Sequence, residues 1–132
     1  MNVFVDTSAL LALLDGDDER HDAAVETWDR LATLEPRLLT TNYVVVETLA
    51  VSQHRLGIGA VRGLVRDVLP AIEIVFVNET QHDAGVAALL AAGRRRLSLV
   101  DCVSFEVMRR LDVGRAFAYD RHFAEQGFDG PL

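Results

Sequence analysis

The order of apolar and polar residues along the chain predicts four short strands that alternate with helices. Short apolar or β-branched runs predict strands at residues 3–5, 38–41, 73–77 and 116–119. Apolar residues at helical spacing, punctuated by Gly and Pro, predict helices at residues 9–14, 18–34, 43–56, 60–69, 81–95 and 98–110. Thr80 and Asp83 match a capping box and are expected to begin the fifth helix.

This alternation indicates an α/β fold in a single domain spanning residues 1–132. Strands linked by long helices need crossover connections, so we expect a mostly parallel central sheet of four to five strands with helices on both faces. A chain of 132 residues is long enough for one domain with its own core. No repeat, low-complexity tract or linker divides it.

Composition narrows the cellular setting. Half of the residues are apolar and a quarter are charged, which is ordinary for a globular protein. Cys102 is the one cysteine, so no intrachain disulfide can form and a reducing cytoplasm fits. No apolar run approaches the roughly 20 residues of a membrane span, and the apolar start contains Asp6 and lacks the basic beginning of a signal peptide. We therefore expect a cytoplasmic protein with no membrane association.

The net charge of -7 argues at first against a nucleic-acid partner, because phosphate binding draws on basic residues. The acidity lies at the front, however: residues 1–35 hold nine acids against two Arg, whereas residues 94–132 hold six acids against seven Arg. All 13 basic residues are Arg, whose guanidinium suits bidentate phosphate contacts. The candidates for such contacts are Arg94, Arg95, Arg96 and Arg121. The alternative for the triple Arg is a solvated helix end, where basic residues are favoured anyway.

Four acids are expected at one end of the sheet. Asp6 and Asp120 directly follow the first and last predicted strands, and ligands of open parallel sheets bind beyond the carboxyl ends of the strands. Glu47 and Asp101 lie near the starts of helices that begin at the same end, in otherwise apolar surroundings. Helix capping is the alternative for Asp6, Asp101 and Asp120, and Ser98 with Asp101 is itself a capping-box pattern. Glu47 lies too far into its helix for that alternative.

A divalent cation explains why such carboxylates gather. They repel one another, and an unpaired carboxylate is rarely buried without compensation. Mg²⁺ or Mn²⁺ prefers carboxylate oxygen and retains water, and a site of this composition suits phosphodiester hydrolysis by an activated water. Thr7, Ser8 and Asn42 lie at strand ends and are expected either to support the metal's water or to cap helices.

Other catalytic and binding constellations are missing from the sequence. There is no Gly-x-Ser-x-Gly elbow, Cys102 has no evident His partner, and the chain lacks the Lys that a phosphate-binding P-loop needs. His21, His54 and His82 have no second His at ligand spacing, which argues against zinc. His122 is interpreted as a packing or surface residue. The alternative is a role at the acidic site, because His122 follows Asp120 closely.

Four segments in order resemble the PIN-domain family, and within it the VapC toxins. They are Val-Asp-Thr-Ser-Ala-Leu at 5–10, Thr-Thr-Asn-Tyr-Val-Val-Val-Glu at 40–47, Leu-Ser-Leu-Val-Asp-Cys-Val-Ser-Phe at 97–105 and Ala-Phe-Ala-Tyr-Asp-Arg-His-Phe at 116–123. The resemblance covers essentially the whole chain. It implies a PIN-like fold and a Mg²⁺ or Mn²⁺ site formed by Asp6, Glu47, Asp101 and Asp120.

The same resemblance implies a biological role. A VapC toxin is a metal-dependent endoribonuclease and the toxin component of a type II toxin-antitoxin system. We therefore expect structured RNA, such as transfer or ribosomal RNA, as substrate, with RNA contacts left to Arg residues. A VapB-type antitoxin and a second copy in a homodimer are the expected protein partners.

Two other functions fit the same pattern. A catalytically silent PIN-like module would bind RNA or protein without cutting, and the intact acids count against it. A DNA-directed PIN-like nuclease would use the same acids on another polymer. Cleavage assays on acid variants separate the first alternative, and single-stranded DNA offered beside RNA separates the second.

Overall fold

The computed structural model describes all 132 residues and contains one sheet of four parallel strands. The strands are β1 (Asn2–Val5), β2 (Arg37–Thr41), β3 (Glu73–Val75) and β4 (Arg115–Phe117), in the spatial order β3-β2-β1-β4. The α/β fold and the parallel sheet are confirmed. The two outer strands, β3 and β4, are shorter than the sequence predicts.

Seven α-helices connect and flank the strands. They are α1 (Thr7–Leu14), α2 (His21–Leu34), α3 (Asn42–Leu56), α4 (Ile58–Gly63), α5 (Glu79–Ala92), α6 (Leu99–Arg110) and α7 (His122–Glu125). The predicted helix at 60–69 begins earlier and changes character along its length, because α4 runs into a π-helical turn (Leu64–Val68) and a 3-10 turn (Leu69–Ala71) at Pro70. None of the helices combines the length and the apolar character that crossing a bilayer requires.

The strand order places helices on both faces of the sheet. The chain runs from β1 to β2 to β3 across the sheet in one direction, and then returns past β1 to β4 in the other. Because crossover connections are right-handed, the helices that follow β1 and β2 lie on one face and the helices between β3 and β4 lie on the other. Accordingly α1 packs against α2 and α3, whereas α5 packs against α6. The side chains of Val3, Phe4 and Val5 are all fully buried, as expected for a strand covered on both faces.

The reversal of direction lies between β1 and β4, which are neighbours in the sheet. In an open parallel sheet the crevice beyond the carboxyl ends of two such strands is the usual place for a ligand. The loops that leave β1 and β4 therefore begin at the same crevice. Asp6 directly follows β1, and Asp120 is the third residue after β4.

The helix α7 was not predicted from the sequence because tertiary packing stabilises it. Four residues are too few to form a stable helix in isolation. Phe123 on α7 packs edge to face against Phe105 of α6, with ring centroids 4.9 Å apart, and stacks on Phe4 of β1 at 6.3 Å. This aromatic contact fixes the segment after β4 against the core.

Both ends of α5 differ from the prediction. Asn78 is the N-cap residue, and its side chain and that of Gln81 form the capping box, so the predicted box of Thr80 and Asp83 is wrong. The helix ends at Ala92 because Gly93 adopts the left-handed conformation with φ of 61°. The triple Arg at 94–96 consequently lies in a turn and not at a helix end.

Candidate metal centre

Asp6 caps the helix that follows the first strand. Its Oδ2 accepts a 3.1 Å hydrogen bond from Ser8 N and a 2.6 Å hydrogen bond from Ser8 Oγ. The start of a helix favours a negative charge, and only 4% of Asp6 is exposed. The capping role and the site role that the sequence leaves open for Asp6 are therefore compatible.

Ser8 joins the two loops that flank the crevice. While its hydroxyl donates to Asp6, the same oxygen accepts hydrogen bonds from Tyr119 N at 2.9 Å and from Asp120 N at 3.3 Å. The loop after β4 is thereby held against the start of α1. Ser8 thus ties Asp6 to the loop that carries Asp120, a positioning contact that differs from the metal-water and capping roles expected for it.

Asp101 is held by a capping box at the start of α6. Its backbone N donates to Ser98 Oγ, and Ser98 N donates to Asp101 Oδ2, both at 3.1 Å. The predicted capping box is confirmed. Because Asp101 is only 7% exposed and its carboxylate still lies beside Asp120 and His122, capping orients the carboxylate toward the crevice.

Asp120 and His122 complete the cluster. Asp120 Oδ1 accepts a 2.9 Å hydrogen bond from His122 N, a tight local turn that leaves the carboxylate partly exposed. The His122 Nδ1 lies 2.8 Å from Asp120 Oδ1 and 3.8 Å from Asp101 Oδ2. One oxygen or nitrogen atom from each of Asp101, Asp120 and His122 lies within 4.8 Å of the others, close enough to surround a single cation.

The electrostatics of the acids show the cost of bringing them together. The pKa of Asp6 is raised to about 6, mainly because the group is buried; the hydrogen bonds from Ser8 oppose the rise and the charges of Asp101 and Asp120 add to it. Burial also raises the pKa of Asp101, with Asp120 adding to the rise and Ser98 and His122 opposing it. The expected mutual repulsion is therefore present among three of the four predicted acids.

The cluster fits a divalent cation by its donor chemistry. Three buried or partly buried carboxylates offer the hard oxygen ligands that such ions prefer. The raised pKa values of Asp6 and Asp101 show that burial of these two charges is not fully compensated within the protein. Both ring nitrogens of His122 are buried and lack any hydrogen-bond partner. A cation between the carboxylates relieves each of these costs at once.

Glu47 stands apart from the compact cluster. It lies on α3 and lines a cavity of about 310 Å³ with Val100, the residue that precedes Asp101. Glu47 is half-buried and its neighbour Val46 is 66% exposed, so the carboxylate is less enclosed than its apolar sequence neighbours indicate. It makes no hydrogen bond or ion pair in the fold, and its place at the metal site stays a prediction.

Thr7 and Asn42 are occupied within the fold. Thr7 Oγ1 accepts a 3.3 Å hydrogen bond from Thr48 Oγ1, which ties α1 to α3. Asn42 Oδ1 accepts a 2.8 Å hydrogen bond from Val77 N, which ties the start of α3 to the segment after β3, while Thr41 is the residue that caps α3. Neither residue caps a helix, because Asp6 caps α1 and Thr41 caps α3, so the capping alternative is wrong for both.

The four Arg residues predicted to contact phosphate differ in whether they form ion pairs within the protein. Arg94 donates to Glu125 Oε2 at 3.1 Å, and Arg121 lies 3.6 Å from the other oxygen of Glu125. Arg95 and Arg96 are exposed and form no ion pair. The two unpaired guanidinium groups are therefore the better placed to meet phosphate.

His122 belongs to the cluster, although the sequence mainly predicted a packing or surface role for it. Its burial agrees with the predicted packing role, yet its Nδ1 faces two carboxylates. The spacing Asp120-x-His122 at the end of a strand is the signal in the sequence, because residues two apart in a tight turn can present side chains to the same space. Such a spacing is short and common in sequences. Here the packing of α7 is what holds His122 beside the carboxylates.

Comparisons with known proteins identify the family of the chain. The family model of the PIN domain matches residues 3–129. The chain is 32% identical over 127 residues to the 23S rRNA-specific endonuclease VapC20 of Mycobacterium tuberculosis, in strains CDC 1551 and H37Rv, covering 96% of this chain and 95% of the relative.

Solved structures show the same fold. The crystal structure of M. tuberculosis VapC20, described as a sarcin-ricin loop cleaving toxin, superposes with a TM-score of 0.84 at 31% identity, covering 96% of this chain and 95% of that one. VapBC2 from Rickettsia felis, bound to a promoter DNA fragment, gives a TM-score of 0.70 at 12% identity, covering 98% of this chain and 97% of that one, a likeness of fold alone. The chain therefore belongs to the PIN-domain family, and its relatives place it among the VapC-type toxins.

Proposed function

We propose that this protein is a Mg²⁺- or Mn²⁺-dependent endoribonuclease and the toxin of a type II toxin-antitoxin pair. The observation that carries the proposal is the convergence of Asp6, Asp101 and Asp120 at the crevice between β1 and β4, with burial raising the pKa of both Asp6 and Asp101. Such a cluster is costly unless a cation neutralises it. The kinship with an rRNA-specific endonuclease supplies the reaction class.

Asp6, Asp101 and Asp120 would hold the cation, and Glu47 would approach from α3 across the small cavity beside Val100. The chemistry that a bound ion would supply there is polarisation of the phosphodiester and activation of a water for attack. The protein's own contribution is to position: Ser8 fixes Asp6 relative to the loop of Asp120. With no nucleophilic side chain in the cluster, the carboxylates act by binding and orienting.

Structured ribosomal RNA is the favoured substrate class, with transfer RNA as the second. The support for ribosomal RNA is the specificity of the VapC20 relatives for 23S rRNA. Arg95 and Arg96 are proposed to contact backbone phosphate, because they are exposed and unpaired in the turn before α6. Arg94 and Arg121 share Glu125 and would have to leave it first.

A VapB-type antitoxin, a homodimeric assembly and a cytoplasmic location complete the proposal. The Rickettsia neighbour is a VapBC assembly, which supports an antitoxin partner. An acidic toxin suits a basic antitoxin segment by charge complementarity. Co-expression with the product of an adjacent small reading frame, followed by gel filtration, tests both protein partners.

The decisive experiment is cleavage of an rRNA stem-loop in the presence of Mg²⁺, Mn²⁺ or EDTA. The wild-type protein is expected to cut with either ion and not with EDTA, while Asp6→Asn and Asp101→Asn lose cleavage and keep their circular dichroism spectrum. Binding of the RNA without cleavage under every ion would favour the silent binding module. Preferential cutting of single-stranded DNA would favour the DNA-directed alternative.

A further inference from the structure

His122 is a buried imidazole without a partner. It is 5% exposed, and neither Nδ1 nor Nε2 makes a hydrogen bond in the fold. Buried polar atoms are nearly always hydrogen-bonded, and leaving one unsatisfied costs about 1–3 kcal/mol. A pair of such atoms on one ring therefore needs an explanation.

The position of Nδ1 provides one. It lies 2.8 Å from Asp120 Oδ1, well within hydrogen-bonding distance, yet the contact does not have the alignment of a hydrogen bond. The ring nitrogen and the carboxylate oxygen are close without pointing at each other. Two ligands of one cation have this relationship, because each points at the ion.

The distances also match a single coordination shell. Adjacent ligands of an octahedral ion at about 2.1 Å lie about 3 Å apart and opposite ligands about 4.2 Å apart. The distances from His122 Nδ1 to Asp120 Oδ1 and to Asp101 Oδ2, 2.8 and 3.8 Å, fall close to this range. The ligand atoms of these three residues also lie within 4.8 Å of one another.

A role in packing alone does not explain why His122 is buried without a hydrogen-bond partner. The ring is enclosed beside Phe123, whose aromatic contacts hold α7 in place, but a purely structural residue at this point has no need of a polar ring facing two carboxylates. A hydrogen bond from Nδ1 to Asp120 would be the ordinary structural use of the ring, and its geometry is absent.

We propose that His122 Nδ1 is an inner-sphere nitrogen ligand of the cation, which makes the centre a mixed nitrogen and oxygen site that favours Mn²⁺ over Mg²⁺. Imidazole suits transition-metal ions, whereas Mg²⁺ prefers oxygen ligands throughout. The inference rests on the proposed function for the presence of the cation and adds to it the identity of one ligand and the direction of its selectivity.

The test is pulsed EPR of the protein loaded with Mn²⁺ alone, with no RNA present. A directly bound imidazole nitrogen produces ¹⁴N modulation of the Mn²⁺ echo. The wild-type protein should show it, and His122→Asn, which offers an amide oxygen near the place of Nδ1, should not. His54→Asn is the matched control, because His54 is exposed on α3 and should leave the modulation unchanged.

Competition between the two ions provides the second readout. Loss of a residue that merely orients a metal ligand lowers affinity by about 10- to 100-fold, so replacing a direct ligand with a weaker one should lower Mn²⁺ affinity by at least about tenfold. His122→Asn should reduce Mn²⁺ affinity more than Mg²⁺ affinity, and His122→Ala should reduce both. Thermal melts in EDTA identify any variant that has simply unfolded.

The outcomes separate this inference from the proposed function. If Mn²⁺ binds and supports RNA cleavage but the wild-type echo lacks ¹⁴N modulation, His122 is not a ligand and the endoribonuclease assignment stands. An unchanged ratio of Mn²⁺ to Mg²⁺ affinity in a folded His122→Asn protein would also overturn the inference. If Mn²⁺ does not bind the wild-type protein at all, the proposed metal-dependent function fails with it.

Discussion

The hydroxyl of Ser8 donates a 2.6 Å hydrogen bond to Asp6 Oδ2 and simultaneously accepts from the backbone of the loop after β4. One side chain thus connects the ends of the two central strands that define the crevice. A hydroxyl is suited to this because it donates once and accepts twice. The arrangement makes Ser8 a positioning residue whose removal should affect two loops at once.

Ser8→Ala should therefore lower stability and metal affinity together. Removing the hydroxyl leaves Asp6 with fewer donors and the amide groups of Tyr119 and Asp120 without their acceptor, and we expect a loss of about 1–3 kcal/mol in the free energy of unfolding. Denaturant unfolding and Mn²⁺ titration measure the two effects. Ser8→Thr keeps the hydroxyl and is the control. Equal metal affinity in Ser8→Ala and the wild type would refute the positioning role.

The stability of the metal-free protein should fall as the pH rises from about 4 to about 6. Burial raises the pKa of Asp6 from 3.8 to about 6 in the folded state, so the folded protein holds a proton there that the unfolded chain has already released. The contribution of Asp6 to the free energy of unfolding is fully present below the unfolded-state pKa of 3.8 and is lost above the folded-state pKa of about 6. The change is on the order of 3 kcal/mol. The raised pKa of Asp101 acts in the same direction.

Urea unfolding in EDTA across this pH range measures the effect. Asp6→Asn should flatten the decline, and added Mn²⁺ should oppose it in the wild type, because the ion binds the charged carboxylates. The exposed ion-paired Glu73 and Glu125 have lowered pKa values and act in the opposite direction, below the pH at which Asp6 ionises. A metal-free stability that rises steadily from pH 4 to 6.5 would contradict this electrostatic picture.

Capping and metal binding should be separable at the start of α6. Ser98→Ala removes half of the capping box and should cost about 1 kcal/mol of stability while Mn²⁺ still binds. Asp101→Asn keeps an oxygen that can accept from Ser98 N, so it should preserve most of the stability and lose most of the metal affinity. Calorimetric titration and thermal melts of the two variants provide the comparison. Tight Mn²⁺ binding by Asp101→Asn would show that the residue only caps.

The exposed Arg pair should contribute electrostatically to RNA binding. Replacing Arg95 and Arg96 with Ala should weaken binding to all RNA sequences alike and reduce the slope of log affinity against log salt concentration by about 2. Arg110→Ala is the control, because its guanidinium is engaged by Glu106 on the same helix at 2.7 Å. Catalytically inactive Asp101→Asn protein allows the measurement without cleavage. An unchanged slope would place the RNA on another surface.

The sequence was sufficient to predict the carboxyl end of β1 and the acids near the ends of β1 and β4. The apolar run before Asp6 stops where β1 ends, whereas β4 ends at Phe117, two residues before the predicted end of its apolar run. Strand order and the crevice then follow from parallel topology and crossover handedness. These features depend on rules that act over short stretches of chain.

The remaining errors arise where two local patterns compete or where tertiary packing decides. Asn78 with Gln81 and Thr80 with Asp83 both match a capping box, and the structure uses the earlier one. The burial of Glu47 depends on which side of α3 meets its neighbours, which three preceding valines do not specify. The role of His122 depends on α7, and α7 exists only because Phe123 finds its aromatic partners.

Convergence of distant acids on one divalent cation can be observed by anomalous diffraction from a crystal soaked in Mn²⁺. We expect an anomalous peak within ligand distance of Asp101, Asp120 and His122, beside Asp6, that disappears in Asp101→Asn crystals. A peak at a different site, or an empty cluster in crystals of protein that cleaves RNA with Mn²⁺ in solution, would contradict it.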